Sequence, residues 1–210
     1  MEAIFMSIKL YLTRHGETEW NVVHRMQGFE DSPLTERGVR QAKSLKTALD
    51  AVPLDIVYTS PSPRAIRTAE LICGDRNIPL ETSEALMEMG FGIWEGRVHA
   101  DVEAQFPEQW NLFWNDPEKF AITDSETYTQ VHDRAIGFLN EIVQKHPGKS
   151  VLIVTHTIVV KMLMAHFAGS EMKQLWKSPE ILPTSLSRID ITDDVAEIIL
   201  HGDVKHYKNL

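Results

Sequence analysis

The chain has 210 residues, 43% of them hydrophobic, one cysteine and a formal net charge of −9 at pH 7. That length suits one domain, residues 1–210, with room for a sheet covered on both faces. The acidic balance excludes a general binder of nucleic acid or of membrane surfaces, which needs a basic face, and the lone Cys73 excludes an internal disulfide and suits a reducing compartment.

Met1 to Ser7 has neither a basic leader nor a long apolar run, and Met6 is an alternative start. Neither a signal peptide nor a membrane span is expected, so the expected location is cytoplasmic. Ile8 to Thr13 reads as a strand that is apolar on both faces and therefore buried. It ends abruptly at Arg14–His15–Gly16, followed by acids that suit a first helical turn. Taken alone, Arg14 and His15 read equally well as a surface turn or as an anion site. Arg25 to Leu34 is rich in turn formers and is expected to be loop. Thr35 can cap a helix with Val39, Ala42, Leu45 and Leu49 at helical spacing.

Leu54 to Tyr58 is a second short apolar strand, ending in Thr59 and Ser60. Pro61 and Pro63 mark the start of the next helix, which carries Arg64 in its first turn and runs to about Cys73, where Gly74 can end it. Cys73 is expected to be a small core residue. Ile78 to Glu81 reads as an edge strand. Leu86 to Gly96 has three glycines within an apolar and aromatic run and fits neither a regular helix nor a regular strand. It reads as a loop that holds Glu88 near aromatic surface. Residues 97–124 are expected to form a small helical lid over a cleft, with Gln27, Trp110, Phe113 and Trp114 as candidate substrate contacts. An ordinary packing layer is the competing reading.

Asp124 or Ser125 can cap a long helix whose Val131, Ala135, Phe138 and Ile142 make a core stripe, and His146–Pro147–Gly148 ends it. Val151 to Val154 is the strongest strand of the chain and runs into Thr155–His156–Thr157, followed by an apolar helix to about Ala168. Leu186 to Ile191 and Ala196 to Leu200 are the last strands, with Asp193–Asp194 as their turn. Strands that alternate with amphipathic helices give the α/β class: a three-layer α/β/α sandwich with a mostly parallel central sheet.

Three apolar strands thus end alike, in Arg14–His15, in Thr59–Ser60 with Arg64 close behind, and in Thr155–His156. Ligands of open α/β sheets bind outside the carboxyl ends of strands, and helix N-termini there add donors and positive dipole. If the three strands are parallel neighbours, two arginines and two histidines share one crevice suited to a phosphate. One imidazole can then attack phosphorus in line. A carboxylic acid kept protonated by apolar neighbours can supply the leaving group's proton, and Glu88, amid Met87, Met89, Phe91 and Trp94, has that local company. Arg14, Arg64 and His156 would offset charge on the transferring oxygens, so no metal or other cofactor is expected.

Leu12–Thr13–Arg14–His15–Gly16–Glu17–Thr18 with Asn21 resembles the signature of the histidine phosphatase superfamily, also called phosphoglycerate-mutase-like. Gln27–Gly28, Asp31–Ser32–Pro33–Leu34–Thr35, Arg64–Ala65 with Thr68–Ala69, Glu88, Trp94–Glu95–Gly96 and Thr155–His156 follow in family order. The likeness covers nearly the whole chain and looks closest to bacterial broad-specificity phosphatases. The resemblance implies that His15 is the nucleophile that becomes phosphohistidine. Arg14, Arg64 and His156 would clamp the phosphoryl oxygens, Asn21 would be a further donor, and Glu88 the proton donor. Many relatives have glycine after the second histidine where this chain has Thr157, whose hydroxyl would add a donor.

The implied activity is metal-independent hydrolysis of small phosphomonoesters, releasing inorganic phosphate, with broad specificity. A phosphoserine phosphatase, a phosphoglycerate mutase and a non-catalytic phosphate-binding module are the alternatives. Six acids and one cation between Val98 and Asp124 disfavour a second anion in the substrate. Relatives that are mutases carry arginine directly after the acid, where this chain has Met89.

Overall fold

Neighbouring residues of a strand point to opposite sides, so a strand apolar at every position has to be covered on both faces. Strand β1 (Ser7–Arg14), apolar without a break from Leu10 to Leu12, meets that demand. Leu10 and Leu12 join one hydrophobic cluster, and Tyr11 between them joins the other. The computed structural model describes residues 7–209 apart from 178 and 194. Both candidate starts, Met1 and Met6, and Asp194 of the expected turn lie outside the described residues.

The other strands are β2 (Ile56–Thr59), β3 (Leu80–Thr82), β4 (Ser150–Thr155), β5 (Leu186–Thr192) and β6 (Val195–Asp203). They form one sheet in the order β3-β2-β4-β1-β5-β6. The first four strands run parallel, and the last two add an antiparallel edge. Helices α1 (Glu19–Val22), α2 (Glu36–Ala48) and α3 (Pro63–Cys73) precede α4 (His99–Gln105), α5 (Pro107–Asn115), α6 (Tyr128–Lys145) and α7 (Thr157–Ala168). On one face α2 and α3 set Ala42, Leu45, Ala69 and Ile72 against Tyr11, Val57, Leu152 and Val154. On the other, α6 and α7 set Val131, Leu139 and Val160 against Leu10, Leu12 and Ile153. Each large aliphatic residue so buried contributes roughly 1.5–3 kcal/mol. The expected three-layer α/β/α sandwich is the observed architecture. Among the described residues no helix is long and apolar enough to cross a membrane.

Local differences have physical causes. Thr35 caps α2 as expected, its hydroxyl accepting from Gly38 N–H at 2.9 Å. Val39 is only half-buried, whereas Gly38 and Gln41 are buried, because that side of α2 faces the backbone after β1. Gln41 Oε1 accepts from Glu17 N–H at 3.0 Å. A Cβ on Gly38 would stand 2.1 Å from Glu17 O, and one on Gly16 would stand 2.6 Å from Gly38 O. Helix α6 starts at Thr127, not at Asp124 or Ser125, because Thr127 and Gln130 form a reciprocal capping box. The Ser125 hydroxyl is instead engaged with Ile122 O at 3.0 Å. Leu139 takes the core place expected of Phe138, whose ring lies half-buried, edge-on to Tyr58. Residues 97–124 hold α4, α5 and a short 3₁₀ turn, and they bury Val102, Phe113 and Phe120 with Trp94 in the main core. The packing-layer reading therefore describes much of that segment.

Candidate active site

Strands β2, β4 and β1 are parallel neighbours, so Ser60, His156 and His15 emerge side by side at one end of the sheet. The ladder continues past the strand ends: His15 N–H donates to Thr155 O at 2.9 Å and Ser60 N–H to Val154 O at 3.1 Å. Backbone position is therefore fixed before any side chain acts.

His15 is 3% exposed and lines a cavity of about 670 Å³. Its Nδ1 lies 2.7 Å from Gly16 O. A carbonyl only accepts, so Nδ1 carries the proton and Nε2 keeps its lone pair. Burial, then Arg64 and Arg14, hold this imidazole well below its ordinary pKa, against the pull of Gly16 O. His156 caps α7 and is fully buried, its ring 5.2 Å from that of His15. Its Nε2 pairs with Ser60 Oγ at 2.8 Å, and its Nδ1 has no partner. Burial, Arg64, His15 and Arg14 depress its pKa as well. His156 is not among the residues that line the cavity.

Arg14 donates through Nη1 to Ile181 O at 3.0 Å. Arg64, 2% exposed, donates through Nη1 to Glu30 O (2.7 Å) and Asp31 Oδ1 (2.8 Å) and through Nη2 to Gly28 O (2.9 Å). The Nε of each arginine is buried without a partner. An unmet buried polar group costs about 1–3 kcal/mol, and both arginines line the cavity. Asn21 lines the cavity, with Oδ1 accepting from Thr18 N–H at 3.1 Å. Thr157, the first residue of α7, also lines the cavity. Its φ is not positive, so its backbone conformation does not call for glycine.

Glu88 reaches the same cavity from the loop after β3 and is 8% exposed. Met89 N–H donates to Oε1 at 3.0 Å, and Ile158 N–H lies 3.4 Å from Oε2. Burial raises its pKa, opposed by Met89 N–H, Arg64, Ile158 N–H and Arg14. Of the apolar neighbours expected around it, Met89 and Trp94 belong to the core beneath the loop.

Of the expected lid contacts, Gln27, Phe113 and Trp114 line the cavity. Trp110 does not line it, because its ring packs against Trp94 and His99 at 5.9 and 5.3 Å. None of the six acids of residues 98–124 lines it either. The outer wall instead carries His24, Arg25, His99, Lys161 and Glu180, which the sequence reading missed. Lys161 alone had a signal, a lysine inside an apolar helix; its Nζ donates to Leu175 O, Lys177 O and Pro179 O at 3.2–3.3 Å. Asp31 was read only as part of a motif, yet it fixes Arg64. Among the described residues no three His, Cys, Asp or Glu side chains are placed to hold a metal ion.

The sequence profile of the histidine phosphatase superfamily (branch 1) matches residues 10–204. Phosphoserine phosphatase 1 of Hydrogenobacter thermophilus is 33% identical over 169 residues, 80% of each chain. The adenosylcobalamin/alpha-ribazole phosphatase of Escherichia coli is 33% identical over 169 residues, 80% of this chain and 83% of that one. The solved structure of Bacillus stearothermophilus YhfR superposes with a TM-score of 0.92 at 43% identity, covering 95% of this chain and 98% of that one. With its matching strand ends, its paired histidines and this profile over nearly its whole length, the chain belongs to the histidine phosphatase superfamily.

Proposed function

We propose that the protein is a phosphomonoesterase of broad specificity that works without a metal, through a phosphohistidine on His15. The observation that carries this is the tautomer of His15: Nδ1 is tied to Gly16 O, which leaves Nε2 as a nucleophile at neutral pH. Nε2 attacks phosphorus, and the bond from phosphorus to the leaving oxygen breaks. Glu88 gives its proton to that oxygen, for which its burial and raised pKa suit it. Water then attacks the phosphohistidine, its proton passes to Glu88, and inorganic phosphate leaves with His15 restored.

Arg14 and Arg64 offset the charge of the phosphoryl oxygens through their unpartnered Nε atoms. His156, its ring 5.2 Å from that of His15, adds positive charge when Nδ1 gains a proton, once an anion outweighs the cations among its neighbours. Asn21 and Thr157 supply further donors. Residues 97–124 act as a wall on the leaving-group side through Phe113 and Trp114, within a single domain. A cytoplasmic setting agrees with the free, buried Cys73. One narrower reading is a phosphatase for phosphoserine, the activity named for the Hydrogenobacter relative, with Arg25 in the cavity wall as the cation for a substrate carboxylate.

The test is hydrolysis of 4-nitrophenyl phosphate with a chelator present, together with acid quench to trap an acid-labile phosphoenzyme. Turnover with a trapped intermediate is expected. No turnover at any pH would leave a non-catalytic phosphate-binding module, and activity that the chelator abolishes would overturn the metal-free scheme.

A further inference from the structure

The loop that carries Glu88 is gripped from behind by one guanidinium. Arg134, on α6, engages all five of its N–H donors. Nε donates to Glu126 Oε1 at 2.9 Å. Nη1 donates to Ala85 O at 2.9 Å and Met87 O at 2.7 Å. Nη2 donates to Glu88 O at 3.0 Å and Glu126 Oε2 at 2.8 Å. Glu126 closes the grip from the far side: its Oε2 accepts from Gly90 N–H at 2.9 Å, and its own N–H donates to Gly90 O at 2.9 Å. Between these anchors, Leu86 O accepts from Thr155 Oγ1 at 2.6 Å, which ties the loop to the end of β4.

Residues 85, 87, 88 and 90 are thus fixed on both sides of the acid by a pair whose side chains are only 20% and 21% exposed. Neither Arg134 nor Glu126 lines the cavity, so neither can touch a substrate there. A bidentate guanidinium–carboxylate pair has strict geometry. A proton donor has to stand within about 2.6–3.2 Å of the oxygen it serves, and about 1 Å of misplacement can cost on the order of 100-fold.

We propose that Arg134, braced by Glu126, is a positioning residue that sets where the Glu88 carboxyl stands and so governs which leaving groups are expelled, an inference resting on the reading of Glu88 as the proton donor. Its effect falls on leaving groups that need a proton and spares those that depart as stable anions. Lysine keeps the charge but offers three donors and no planar fork. Arg134→Lys therefore disturbs the grip while leaving a cation where the field at His156 includes Arg134.

The experiment compares kcat/KM for glycerol 2-phosphate and 4-nitrophenyl phosphate in the wild type, Arg134→Lys, Glu126→Gln, Glu88→Gln and Arg134→Lys/Glu88→Gln. Arg134→Lys is expected to lower the alkyl-to-aryl ratio about tenfold, Glu126→Gln to move it the same way by less, and Arg134→Lys to change it no further once Glu88 is glutamine. Equal losses on both substrates, or the same shift with and without Glu88, would overturn the proposal. A wild-type ratio retained in Glu88→Gln would overturn the proton-donor reading instead, and the positioning role with it. If Arg134→Lys does not fold, Glu126→Gln alone decides by the same ratio.

Discussion

At the inner end of the cavity, His15 and His156 are buried just beyond strand ends whose backbone hydrogen bonds continue the sheet, and Arg64 is buried in the first turn of α3. At the outer end, Trp114 comes from a helix, and His24, Arg25 and Glu180 come from loops. A side chain at the inner end cannot move without loosening the ladder or stranding a buried charge, which costs several kcal/mol. One at the outer end can move with its own loop. Substitutions inside should therefore change kcat for every substrate, and substitutions outside should change KM for some.

The largest expected effect is at the nucleophile. His15→Ala should cut kcat on the order of 10⁴-fold or more on alkyl and aryl phosphates alike and abolish the trapped phosphoenzyme. Residual turnover within tenfold of wild type would break the division between the two ends. Glu88→Gln comes next, with a loss of about 10²–10⁴-fold on alkyl phosphates and much less on aryl ones. Glu88 must be protonated for the first step, and burial raises its pKa. Alkyl turnover should accordingly be full below that raised value and fall as pH rises through it, and the variant should lack that limb of the pH profile.

Trp114→Ala tests the outer end, where its ring packs on Trp176 at 4.4 Å. One aromatic contact is worth about 0.5–1.5 kcal/mol, so KM should rise roughly 2- to 12-fold for bulky esters, with kcat held. A fall in kcat equal to the rise in KM would merge the two ends. The smallest effect is thermal. Both inner imidazoles titrate well below their ordinary value of 6.5, so the unfolded chain binds more protons as pH falls past about 6.5. Stability should be full above that pH and decline below it, read as a lower Tm, roughly 2–4 °C for each kcal/mol lost. Inorganic phosphate, by favouring the charged imidazoles, should restore Tm; a pH-independent Tm would count against buried neutral histidines.

The inner end was legible because local signals coincide there: an apolar run, an abrupt polar stop and a residue suited to bind an anion, three times over. The raised pKa of Glu88 was legible for a related reason, although desolvation by the whole fold, and not its aromatic sequence neighbours alone, is the cause. Long-range partners were not. Arg134 meets Met87 across 47 positions and Arg64 meets Asp31 across 33, and no periodicity links such pairs. The cap of α6 was misplaced because Asp124, Ser125 and Thr127 all have suitable side chains; the Thr127–Gln130 capping box, whose Thr-x-x-Gln pattern stood in the sequence, decides among them, and the Ser125 hydroxyl is engaged with Ile122 O. Which of the six acids of residues 98–124 would reach the cavity was not legible either: composition counts charges, and none of the six lines it.

Strand β4 has a consequence for how the chain is made. It is buried at every position and lies between β1 and β2, which reach each other only through it. Synthesis delivers β1 and β2 long before Ser150 emerges, so while about 90 of the 210 residues are being made the two oldest inner strands have exposed edges and no shared partner. Closing that gap needs a contact between ends some 140 positions apart in the register Leu10 to Val151, a non-local step of the kind that slows folding. A chain cut short before β4 keeps the signature residues of its first strand but lacks the centre of its sheet. Such fragments should be recovered as aggregates, and the full-length chain should gain from slow synthesis or from a chaperone that shields those two edges.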